Sequence, residues 1–187
     1  MTPITRWTDR RQMRRDRLRA FGRDDRGATV LEFAFVAAPF FALLIAILMT
    51  TLVFFAQQAL ETAGEAASRL IMTGQAQQAG WSASQYKTQV CAKLPPFLSC
   101  SKLMIDVETA ASFSAASTTT PTITYSNGSA SNAWQYQVGT AGSIVIVRLM
   151  YLWPVVTGPL GVNLGNQTGN NRLLIATSVA QTEPYTS

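Results

Sequence analysis

The chain has 187 residues, enough for one modest domain and an anchor but too few for two full domains. Its net charge of +5 is confined to residues 1–26, which hold nine arginines and four aspartates. The rest carries six basic and six acidic groups, so the basic balance describes a tail and is no sign of a basic binding face.

The basic segment ends at Arg26-Gly27, and Ala28-Thr29-Val30-Leu31-Glu32-Phe33 opens an apolar run. Phe33 to Ala56 is 24 residues without a charge, interrupted only by Pro39, Thr50 and Thr51. As a helix this run reaches about 36 Å, enough to cross a hydrocarbon core of about 30 Å with some tilt. The apolar core of a cleavable secretory signal is shorter, about 7–15 residues, and no small-residue cut site follows here. The same length weighs against a twin-arginine signal at Arg10-Arg11 or Arg14-Arg15. A core helix this long and apolar all round needs a far larger protein to cover it. Residues 28–56 are therefore read as a transmembrane helix. Arginines precede the span and the next basic residue is Arg69, so residues 1–27 stay cytoplasmic and the remainder lies on the far, oxidising side.

Residues 57–74 continue the helix as an amphipathic stretch. Ala56, Leu60, Ala63, Ala67 and Leu70 fall on one stripe, and Gly74 is placed to stop it. The whole helix is expected over about Thr29–Thr73. Cys91 and Cys100, the only cysteines, bracket the proline-containing loop 92–99. A disulfide suits the oxidising side; two free buried thiols are the alternative. With no histidine and two lone cysteines, neither a metal nor another cofactor is expected.

Residues 75–187 read as an antiparallel-sheet domain. Lys102–Glu108 alternates, with Leu103, Ile105 and Val107 on one face and Asp106 and Glu108 on the other, which is expected to be solvated. Thr122–Tyr125 and Trp134–Val138 are short strand candidates, the second setting Trp134, Tyr136 and Val138 together. Ile144–Trp153 is apolar on both faces except at Arg148, as a central strand would be. Leu173–Gln181 is the last strand candidate, and 110–120 and 158–171 read as loops. The fold class is α+β: a long N-terminal helix, membrane-spanning in its first half, packed on a small antiparallel sheet.

No catalytic constellation is visible. The acids beyond Glu32 are Glu61, Glu65, Asp106, Glu108 and Glu183, and no nucleophile elbow occurs, so an enzyme is not expected. Nor is nucleic-acid binding, because aspartates dilute the arginine-rich tail; a segment lying at an anionic inner leaflet explains it better. Gly161 and Gly165 have helix-dimer spacing but lie in a loop. Asn127-Gly128-Ser129 and Asn166-Gln167-Thr168 match the glycosylation sequon, a pattern frequent by chance in such loops.

Three segments carry a family resemblance: Arg26-Gly27 through Ala34 with Pro39 beyond it, the small-residue stretch Ala63 to Arg69, and Ala176 to Tyr185. With these the chain resembles the TadE-like proteins of the tight-adherence (Flp-type) pilus system, a branch of the type IV pilin superfamily. The resemblance implies a pilin-like fold and a class III leader over 1–27. A prepilin peptidase would cut after Gly27 and leave Ala28 as the mature N-terminus; Asp24-Asp25 stand where basic residues are commoner. Glu32, beside Phe33, matches the acid that pilin-like subunits need. The implied role is a non-enzymatic pseudopilin or minor pilin supporting pilus assembly. Its partners would be the peptidase, the assembly platform, sibling pilin-like subunits and membrane lipid. It would lie in the inner membrane as a single-pass protein with a periplasmic C-terminal domain, with incorporation into a pilus left open.

The physics of Glu32 stands apart from the likeness. A carboxylate inside a span costs about 2.5–3.5 kcal/mol at the helix centre and less near an end, unless it is paired. Cleavage would create an ammonium on Ala28 that could pair with it, within the chain or on a neighbour; otherwise Glu32 reaches interfacial water. Pro39 either loosens the helix for extraction into a filament or is simply tolerated there. Two other readings are an unprocessed, permanently anchored binding or adhesin domain and an anchored hydrolase with a dispersed site.

Overall fold

The computed structural model describes residues 28–184; residues 1–27, with the leader and Gly27, and Tyr185 lie outside the described residues. The chain divides into two units, 1–45 and 46–187. The described part of the first is helical throughout. Helix α1 spans Ala28–Met72 with Pro39 inside it, and it ends one residue earlier than the sequence suggests. Gly74 stops it with φ 74°, a left-handed conformation that costs glycine little, and its N–H donates to the Ile71 carbonyl at 2.9 Å. The Glu183 N–H caps the Met72 carbonyl at 2.8 Å, tying the C-terminal segment to the end of α1.

Two short helices absent from the sequence reading follow. Helix α2 is Gln75–Gln78 and α3 is Ala83–Cys91. A capping box starts α3, Ser82 and Gln85 each accepting from the other's backbone N–H. The buried Tyr86 on α3 donates its hydroxyl to the Ala67 carbonyl of α1 at 2.8 Å. Burial, and secondarily Tyr136, raises the Tyr86 pKa, so this hydroxyl keeps its proton.

The sheet has the order β1-β4-β5, with β1 Leu103–Ala110, β4 Ile144–Pro154 and β5 Asn171–Gln181, all antiparallel. The pairings Asp106↔Arg148 and Arg148↔Thr177 define the register. β4 is the centre, as its unbroken apolar run predicts. Its odd-numbered residues Val145, Val147, Leu149 and Tyr151 join Leu103, Val107, Leu174 and Ala176 in a core under α1 and α3. On α1 the buried stripe is Val53, Ala56, Leu60, Ala63, Ala67 and Ile71. Ile71 thus takes the place expected of Leu70, because the helical repeat carries the stripe round by that point.

The opposite face is not solvated, contrary to the sequence reading. The connection from β1 to β4 crosses it as a strap that carries a small hairpin, β2 Tyr125–Ser126 and β3 Ser129–Ala130. The strand expected at Thr122–Tyr125 shrinks to this two-residue ladder. Its turn is Asn127-Gly128, both at positive φ (50° and 77°), the type I′ geometry that suits twisted strands. Ile123, Tyr125 and Trp134 of the strap pack on Met150 and Leu173. Tyr136 forms one parallel bridge to Val107 at the outer edge of β1 instead of a full strand. Its neighbours divide: Tyr136 and Val138 pack toward the α1 core, and Trp134 packs on the strap side, so the three do not share a face.

Candidate functional site

Between Ala28 and Leu60 the only charge on α1 is Glu32, which is exposed. The large apolar side chains around it are exposed too: Phe33 is 71 % accessible, and Leu31 and Val36 exceed 60 %. An exposed phenylalanine-rich helix is unstable in water and stable in hydrocarbon, and α1 is long and apolar enough to cross a membrane. The two hydroxyls in the run are satisfied within it, Thr50 on the Ala46 carbonyl and Thr51 on the Ile47 carbonyl, both at 2.9 Å. Such back-bonding lets threonine sit in a span without an unpaired donor. Gly27 lies outside the described residues, and Ala28, the first described residue, is already helical.

Burial against the sheet begins at Val53, and from there small residues let α1 lie close. A Cβ on Gly64 would come 2.9 Å from the Ala176 Cβ. Ser178 donates to Ser68 at 2.9 Å, and Gln57 Nε2 donates to the Ile175 carbonyl at 2.9 Å. A cavity of about 350 Å³ opens along this line beside Glu61, Glu65 and Thr177.

The pair Asp106 and Glu108, expected on a wet face, forms an ion cluster instead. Arg148 Nη1 lies 2.6 Å from Asp106 and 3.0 Å from Glu108. Its Nη2 donates to the Ser117 carbonyl at 2.7 Å, and Asp106 Oδ1 accepts the Gln135 N–H at 2.9 Å. Arg148 and Asp106 are each 4 % exposed. The cluster fastens the strap to the sheet at Ser117 and at Gln135. Sequence reasoning missed it because the strap that dries this face has no periodicity; the lone Arg148 in an apolar strand was the available signal.

Cys91 and Cys100 are bonded, with Cα atoms 5.5 Å apart. The disulfide closes α3 onto the start of β1 and holds loop 92–99, whose Leu98 is buried while Phe97 is exposed. Among the described residues, no three carboxylate or cysteine side chains converge to form a metal site.

No curated protein sequence and no solved structure matches the chain. A family model does, over residues 27–69, from the glycine at the head of the apolar run to Arg69 on the amphipathic part of α1. The match covers α1 as far as Arg69 and leaves the sheet outside it: residues 27–69 are similar to the TadE-like protein family.

Proposed function

We propose that the chain is a non-enzymatic pseudopilin or minor pilin of a tight-adherence pilus system. It is processed by a prepilin peptidase between Gly27 and Ala28 and contributes α1 to subunit assembly. The observation that carries this reading is the extent of the family match, which starts at Gly27 and follows α1. Helix α1 supplies the chemistry: an exposed apolar cylinder with one carboxylate, Glu32, four residues beyond Ala28. An α-ammonium on Ala28 of the same or a neighbouring chain would neutralise that carboxylate, and the requirement for pairing would set the stagger between helices. The basic leader faces the cytoplasm and the disulfide-bonded sheet domain faces the periplasm, as the arginine asymmetry and the Cys91–Cys100 bond favour. The partners are the peptidase, the assembly platform, sibling pilin-like subunits and membrane lipid.

The test is Glu32→Ala in the native host. Surface pili are expected to be lost while the protein stays in the membrane at its normal level. Unchanged piliation would contradict the assembly role and favour a permanently anchored binding domain.

A further inference from the structure

We propose that the end of the sheet beside Val53 rests in the headgroup region of the bilayer, on a foot made by the disulfide loop and the end of β4. The proposal relies on the membrane-anchor reading of α1 and adds a second lipid contact to it. The foot is an apolar cluster at one end of the domain. The Phe97 ring lies 5.2 Å from that of Phe55 on α1 and 6.5 Å from that of Trp153, which lies 6.3 Å from that of Tyr151. Phe97 is 41 % exposed and Val156, just past β4, is 73 % exposed. Leu52, Phe54 and Phe55 continue the patch onto the exposed apolar surface of α1, so it adjoins the span without a charged residue between.

Loop 92–99 is built to hold Phe97 outward. The disulfide closes its base, Leu98 plugs into the core, and the Ser99 N–H donates to the Tyr151 hydroxyl at 3.2 Å. Cations flank the cluster in sequence and register: Lys93 and Lys102 are exposed on either side of the disulfide, and Arg172 pairs in backbone register with Trp153. No acid occurs between Glu65 and Asp106 or between Glu108 and Glu183, so every loop at this end lacks negative charge. Aromatic side chains bounded by lysine and arginine match the boundary between acyl chains and anionic headgroups. The occupant is accordingly an anionic lipid surface.

The experiment places the photocrosslinker benzoylphenylalanine at Phe97 of the full chain, reconstituted in phosphatidylethanolamine–phosphatidylglycerol vesicles. Control probes sit at Leu43 in the span and at Phe113, which is 57 % exposed just beyond the far end of β1. Lipid adducts are expected at Phe97 and Leu43 and not at Phe113. The yield at Phe97 should fall several-fold when Lys93 and Lys102 are both changed to glutamate. An adduct at Leu43 with none at Phe97 overturns the foot while leaving the anchor in place. Failure at both positions, with release of the protein by alkaline carbonate, removes the anchor and the foot together. An unchanged yield in the glutamate variant overturns the electrostatic part.

Discussion

Arg148 is buried at the centre of the sheet, where an unpaired guanidinium would be intolerable, and two carboxylates with a backbone carbonyl answer it. Arg148→Met is expected to cost about 3–5 kcal/mol, because it leaves Asp106 buried without its counter-charge. Urea unfolding of the full chain in detergent measures this. Arg148→Met with Asp106→Leu should recover much of the loss, and an equal loss in the double variant would contradict the account. Glu32 is the other residue whose position defines its chemistry, as a single acid in an apolar helix. Both Glu32 and Arg148 were visible in the sequence as lone exceptions to an apolar pattern. Asp106 was not visible as a buried group, since strand alternation sets it opposite the apolar face and does not reveal what covers that face. Asn127-Gly128 drew attention as a sequon, whereas its structural role is the positive-φ hairpin turn.

At the level of elements, α1 and β5 approach where Gly64 and Ala176 meet, and the space for a side chain there is already taken. Gly64→Val should destabilise the domain by about 1–3 kcal/mol through overpacking, read from the same unfolding curves. Replacing both Cys91 and Cys100 with serine should cost about 2–3 kcal/mol, the chain-entropy scale for so short a loop. A loss within error of zero would show that the helix-to-strand junction is held by packing alone. The outer edge of β5 is blunted at three points: the Asn171 carbonyl accepts the Asn166 and Gln167 N–H groups, Asn166 Oδ1 accepts the Leu173 N–H at 2.8 Å, and Gln57 covers the Ile175 carbonyl. Such capping discourages uncontrolled strand pairing. The long helix and the three principal strands were legible because periods of 3.6 and 2 recur over enough residues. Helix α3 spans only nine residues, and its Ser82-x-x-Gln85 box was its one clear mark.

Across the sheet domain, helices cover one sheet face and the strap covers the other, which is why β4 is apolar on both sides. That layering was half legible: the amphipathic part of α1 announced its partner, while the Ala/Ser/Thr-rich strap read as an ordinary loop. Its function is equally divided. In the role proposed for the chain, the sheet, outside the family match, is the displayed body, and α1, largely within it, is the anchor and the assembly surface. The central claim is that α1 begins its working life at Ala28, and the intact mass of the protein from its native membrane tests it most directly. The account predicts a mature chain starting at Ala28 that is replaced by the full-length precursor when the prepilin peptidase is deleted. A chain retaining its original N-terminus, or lacking only Met1, in both strains would contradict it.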